Sequence, residues 1–322
     1  MPGAAGEPYR LVVDHTSLDF SGHSSSALSD LLDDFSDALE DLQTQHEVAA
    51  WTAWVEHPCR AGEPLHVFLY QRGPASETAS PDAKRRLSLL MDRCRLWDDD
   101  EAELTPDGVH VAGAHHPWPS AAGHALRRSL QGTTTACLLF PTAATSSGWQ
   151  PVESDDGTAT VFFLRDGSEL PDFWRALFDR EDVDETRFRT LAATAFPALV
   201  LADSLSFGKF QGHYRDLRPW VVRVLAATND HFPTAMTAGA GIPKQVQAAL
   251  GGHGVTLSPE GPKTHANEAA MKERDVEHDG ETYRCEWHAK QHPTRNRVHF
   301  SLPDQRLGGR ILVGIFTEHL TI

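Results

Sequence analysis

Two imidazoles, a carboxylate and several cations crowd into one stretch near the end of the chain. It runs Arg284-Cys285-Glu286-Trp287-His288-Ala289-Lys290, then His292-Pro293-Thr294-Arg295, then Asn296-Arg297-Val298-His299-Phe300. Side chains on a strand alternate between faces, so two strands joined by a loop over 292–295 pair Gln291 with Asn296 and extend from there. That register sets Lys290 opposite Arg297 and His288 opposite His299. The other face then carries Ala289 opposite Val298 and Trp287 opposite Phe300. One register satisfies the polar and the apolar pattern together, which identifies a β-hairpin.

Facing imidazoles can serve as general base and general acid, because neutral His takes up a proton and its conjugate acid returns one near pH 7. Lys290, Arg295 and Arg297 can hold a phosphate, and Glu286, two residues from His288, can orient an imidazole. A base for the 2′-hydroxyl, an acid for the leaving oxygen and cations for the phosphorane suffice for metal-independent RNA cleavage. We therefore expect His288, His299 and Glu286 to be catalytic, Lys290, Arg295 and Arg297 to bind nucleic-acid phosphate, and no cofactor or metal to be required. Two other readings use the same face. It can be a solvated polar surface, or His288, His299 and Glu286 can ligate a metal with Glu318 or His319 added, as in a metal-dependent hydrolase.

Several elements must position this face. Asp279-Gly280 is a type I′ hairpin signal that pairs Val276 with Tyr283 and sets Cys285 and Trp287 on one apolar side. Ile311–Phe316, apolar on both faces, ends a four-strand antiparallel meander, and its Gly314 leaves space over Arg297. Helices over Tyr214–Phe232 and Pro243–Leu250 precede the strands; Arg215, Arg218 and Arg223 on the first add basic surface, and Trp220 packs.

Upstream the pattern alternates strand and helix. Strands are expected at Tyr9–Val13, Leu65–Tyr70, Val109–Val111, Ala136–Phe140 and Thr160–Leu164. Helices are expected near 28–42, from Ser80-Pro81 to about Leu96, and over Ala121–Gln131, Pro171–Asp179 and Glu185–Ala195. The fold class is thus an α/β domain with a mixed sheet over 1–200, followed by an α+β domain over 201–322. His115-His116-Pro117 falls between a strand and a helix, a frequent place for α/β active sites. Asp98-Asp99-Asp100-Glu101 is a turn of like charges that could attract a divalent cation.

Charge is lopsided. Residues 1–200 hold 15 Lys and Arg against 32 Asp and Glu, and 201–322 hold 14 against 13, within a total of -16. A nucleic-acid coat over the whole chain is excluded by that balance, whereas a local basic face in the second domain and a protein partner for the acidic first domain are not. Four separated cysteines without a C-x-x-C pair indicate reduced thiols in a cytosol. No uninterrupted apolar run of about 18 residues suggests a membrane span. Gly-rich phosphate loops and G-x-S-x-G elbows are absent.

The order helices, Tyr283-Arg284-Cys285-Glu286-Trp287-His288, Arg295-Asn296-Arg297-Val298-His299-Phe300, Ile311-Leu312-Val313-Gly314-Ile315-Phe316 resembles the RelE/HigB-type toxin fold over about a third of the chain. The resemblance implies an antiparallel sheet whose basic strands cut mRNA, with Lys290, Arg295, Arg297, His288 and His299 contacting RNA or catalysing. It also implies a bacterial defence or stress setting. The other function class left open is a non-enzymatic adaptor or complex subunit whose hairpin face meets a protein.

Overall fold

The structure, a computed structural model, describes residues 9–70, 79–97 and 108–322. The acidic turn Asp98–Glu101 lies outside the described residues. Two compact units, Met1–Phe173 and Trp174–Ile322, make up the chain.

In the first unit, β1 (Leu11–Val13) leads to α1 (Ser25–Gln45), capped by Ser24 on the Ala27 N–H. Its Leu28, Leu32, Phe35, Leu39 and Leu42 are buried at helical spacing, as expected. Next come β2 (Val48–Trp51), a small ribbon of β3 (Pro58–Arg60) with β4 (Glu63–Pro64), α2 (Leu65–Tyr70), α3 (Pro81–Met91) and β5 (Arg95–Trp97). Two expectations are corrected here. Leu65–Tyr70 is a helix rather than a strand: Pro64 precedes it, and Leu65 and Phe68 bury one helical face three residues apart. The helix from Pro81 stops at Met91, and the apolar residues beyond it form β5.

The unit continues with β6 (Val109–Val111), β7 (Ala114–His116), α4 (Ala121–Leu130), β8 (Ala136–Leu138), β9 (Gly148–Ser154) and β10 (Gly157–Leu164). One eight-stranded mixed sheet has the order β5-β2-β1-β8-β10-β9-β6-β7. The first five strands are mutually parallel and the last three antiparallel. Chain order runs outward from β1 in one direction through β2 and β5, then in the other through β8 and β10. Loops at the carboxyl ends of β1 and β8 therefore diverge, which leaves a crevice between them.

The second unit is the α+β part. α5 (Leu170–Arg180) enters it, followed by α6 (Glu185–Ala195), β11 (Leu199–Leu201), α7 (Tyr214–Ala238), α8 (Pro243–Gly251), β12 (Leu257–Pro259), α9 (Pro262–His265) and α10 (Glu268–Lys272). Then come β13 (Asp275–His278), β14 (Glu281–Arg284), β15 (Trp287–His292), β16 (Arg295–Phe300) and β17 (Ile311–Thr317). The unit begins before residue 200, where composition alone places the boundary, for two reasons. β11 pairs in parallel with β17, and Arg218 of α7, only 6% exposed, binds Asp179 and Asp182 beside α5. Arg215 also pairs with Asp182, so these arginines neutralise acids of their own unit instead of adding a basic surface.

The antiparallel strands expected at the end of the chain are present in a five-stranded sheet, β11-β17-β16-β15-β12. β13 and β14 form a separate ribbon, closed at Asp279-Gly280 with Val276 opposite Tyr283. Cys285 packs with Val276, Tyr283 and Leu312, whereas Trp287 meets Phe232. They belong to different packing groups because Cys285 lies outside β15, where strand alternation does not apply.

Candidate functional site

The hairpin register is the expected one. His288 stands opposite His299, Lys290 opposite Arg297, Ala289 opposite Val298 and Trp287 opposite Phe300. Pairing continues to His292 and Arg295, so the loop is shorter than expected, only Pro293-Thr294. Asn296 anchors that end: it takes φ 57°, accepts from the Gln211 N–H at 2.8 Å and donates to Gln291 Oε1 at 2.7 Å. Arg295 is exposed and donates to Gln211 Oε1 at 3.1 Å.

What differs is burial. The polar face is not solvated: His288 is 3% exposed, His299 0% and Arg297 7%. Its centre is a group of three, Glu260, His288 and His299, whose ligand-capable atoms lie within 4.8 Å of one another. Glu260 Oε1 is 3.5 Å from His288 Nδ1 and 3.9 Å from His299 Nδ1, and the two rings are 4.9 Å apart. On its other side Glu260 meets Arg274, fully buried, whose Nε and Nη2 both lie 3.1 Å from Oε1. Arg274, which follows α10, also donates to the Ala270 carbonyl within that helix at 2.6 Å. Ser258, the cross-strand neighbour of His288, places Oγ 3.4 Å from Nε2.

The carboxylate of the site is therefore Glu260 and not Glu286. Glu286 precedes β15 and contributes backbone: its carbonyl accepts from the Glu260 N–H at 3.0 Å, and among the described residues no ion pair joins it to either imidazole. Glu260 escaped detection because β12 is three residues long and distant in sequence. Its only local mark is Pro259, which ends that strand.

Burial, then Lys290, Arg297 and Arg274, pushes the His288 imidazole down to about 3. His299 is lowered well below its ordinary value by burial first, with His288 and Arg274 adding to it. Depressed proton affinity in both rings works against either of them carrying the proton of the expected general acid, and both nitrogens of His299 are buried without a hydrogen bond. Burial also lowers Lys290, with Arg297 beside it. Glu318 and His319 are exposed at the chain end, and His319 binds the Leu320 carbonyl, so neither joins the centre. Gly314 does not clear space over Arg297. A Cβ there would meet Cys285 Sγ at 2.5 Å and Val276 Cγ2 at 2.8 Å, so its missing side chain admits the β13–β14 ribbon.

The first unit holds a second polar feature, a cavity of about 560 Å³ at the divergent ends of β1 and β8. Asp14, Asp19, His23, His116, Thr142 and Gln150 line it. Asp14, 1% exposed, accepts from Thr16 N and Oγ1, and burial raises its pKa. Arg165 pins the opposite wall by donating to the carbonyls of Phe140, Pro141, Ala143 and Thr145. Of the pair singled out in sequence, His116 reaches this wall. The cavity otherwise left no mark, because its residues come from four separate loops and strands.

The chain thus combines a doubly wound α/β unit with an α+β unit built around a buried carboxylate–imidazole–guanidinium group. No protein-family model, curated protein or solved structure matches it. Among the described residues no helix is long and apolar enough to cross a membrane.

Proposed function

We propose that the C-terminal unit binds RNA or another nucleic acid through its phosphates at the Lys290–Arg297 end of the sheet face, and cleaves a phosphoester there, in a bacterial cytosol. The observation that carries this reading is the exposure gradient along one face. His299 is sealed, His288 and Arg297 nearly so, while Lys290 is half-buried and Arg295 exposed. The more open end of this face is the cationic one, where a phosphate replaces water around Lys290 and Arg297 and meets their charge in a partly dry setting. Arg297 Nε, buried and without a hydrogen bond, is a donor that such an oxygen satisfies.

The chemistry is displacement at phosphorus: an oxygen nucleophile adds, one P–O bond breaks, and the leaving oxygen takes up a proton. The cations stabilise charge that builds on the non-bridging oxygens. Binding of labelled single-stranded RNA by wild type and a K290A/R297A variant, measured across salt concentrations, tests the assignment. On a single strand every phosphate that a cation no longer neutralises lowers the log–log salt slope by about 0.7, so the double variant should bind more weakly with a slope shallower by about 1.4. Equal affinity and equal slope in both proteins would reject the reading.

A further inference from the structure

The arrangement of Glu260, His288 and His299 contains a conflict that hydrogen bonds do not resolve. One carboxylate oxygen faces two Nδ1 atoms at 3.5 and 3.9 Å, too far for either to be a sound hydrogen bond. Neither Nδ1 has a hydrogen-bond partner, and all three side chains are at most 6% exposed. Ser258 Oγ sits by His288 Nε2 at 3.4 Å, the position from which it can accept that ring N–H. In that tautomer the Nδ1 lone pair points at a carboxylate oxygen, an unfavourable meeting of two acceptors unless a cation lies between them.

We infer that this centre is a binding site for one divalent transition-metal ion, with zinc the simplest fit, ligated by Glu260 Oε1, His288 Nδ1 and His299 Nδ1. An ion about 2.1 Å from each of its ligands holds neighbouring ligand atoms about 3.4 Å apart in a tetrahedron. The two carboxylate–imidazole separations of 3.5 and 3.9 Å are near that edge, and all three ligand atoms lie within 4.8 Å of one another, so the side chains close in around the ion as it binds. Imidazole donors select a transition metal over magnesium or calcium. Ser258 and Arg274 act from behind the ligands. Ser258 sets the tautomer of His288, and Arg274 orients the Glu260 carboxylate.

Arg274 also sets a condition on the site. Its charge already balances Glu260, and Arg297 and Lys290 stand on the same face, so a dication entering alone leaves a large positive excess. An anion must fill the remaining coordination position. This part rests on the proposed phosphate role of Lys290 and Arg297, and it predicts that metal and phosphate strengthen each other's binding.

Purified full-length protein would be stripped with chelator, and Zn²⁺ binding followed by calorimetry and Co²⁺ binding by visible absorption, each with and without inorganic phosphate. The inference predicts one ion per chain at this centre and a ligand-field spectrum of low coordination number. E260Q, which keeps an acceptor for Arg274, and H299Q should each weaken binding by at least 100-fold, and S258A by about 10-fold. Wild-type protein with no stoichiometric ion, or an ion bound equally by wild type, E260Q and H299Q, overturns it; the wild-type result decides even if a variant misfolds. Metal binding that phosphate does not strengthen, with no RNA bound, would keep the metal centre and remove the nucleic-acid reading. RNA binding abolished in K290A/R297A, alongside no metal, would do the reverse.

Discussion

The two units build their main polar clusters in different ways. The N-terminal unit arranges Asp19, His23 and His116 around an open cavity at the ends of its strands, where water can satisfy them, with only Asp14 buried behind them and held by Thr16. The C-terminal unit takes Glu260, Arg274, His288 and His299 into its interior, on the middle of a sheet face, and leaves several of their nitrogens without a partner. A polar group at a loop-lined cavity costs little stability and can be changed freely. A buried one is held only if its neighbours compensate it, so each member of the second group should be far more sensitive to substitution.

Removing Arg274 should therefore have the largest effect. R274M leaves the Glu260 carboxylate buried without its counter-charge, and a loss of roughly 3–5 kcal/mol is expected in urea unfolding followed at the C-terminal unit. A loss under about 1 kcal/mol would show that the centre is wetter than its burial implies. Next comes G314A, which drives a methyl group into Cys285 and Val276 and should cost about 1–3 kcal/mol. Adding C285A should recover part of that loss, whereas C285A alone tests only the cavity it opens.

Acid exposes the buried histidines of the N-terminal unit. His124 stacks on Trp97 at 4.2 Å and bonds to Tyr9, and burial with Arg128 and Arg127 lowers it to about 3; His15 is lowered to about 3 by burial and His57. Their folded values lie below the unfolded value near 6.5, so the unfolded chain binds protons first as pH falls. Stability is full above about 6.5 and is lost progressively down to about 3, on the order of a few kcal/mol. Unfolding of wild type and H124F between pH 7 and 4 checks this: the variant should show a flatter profile, and parallel profiles would contradict it. The smallest effect belongs to the cavity. Burial raises Asp14, so its ionised form opposes folding at pH 7, and D14N should raise the melting temperature slightly. A fall would mean that the carboxylate has a partner worth more than its burial costs.

This contrast also explains what could be read in the sequence. Two strands joined by a short loop obey a period of two, and a single register had to satisfy Trp287, Ala289, Val298 and Phe300 as well as His288 and His299; the pairing was therefore legible. Burial of that face was not, because it involves Glu260 and Arg274 from segments outside the hairpin, and the ribbon at β13–β14 packs close only because Gly314 has no side chain. Glu260 was missed for the same reason that the N-terminal cavity was: each is assembled by pairing between segments far apart in the chain. Leu65–Tyr70 failed at a shorter range, since six residues, all apolar but His66, fit either a strand or one and a half helical turns.

The reading proposed for the C-terminal unit assigns phosphoester chemistry to the face shared by His288, His299, Lys290 and Arg297. Its most direct test is product analysis of end-labelled single-stranded RNA incubated with zinc-loaded wild type, K290A/R297A and D14N. The account predicts discrete cleavage by wild type and D14N and at least a 100-fold slower reaction with K290A/R297A. Intact RNA with all three proteins, or equal cleavage by all three, would contradict it.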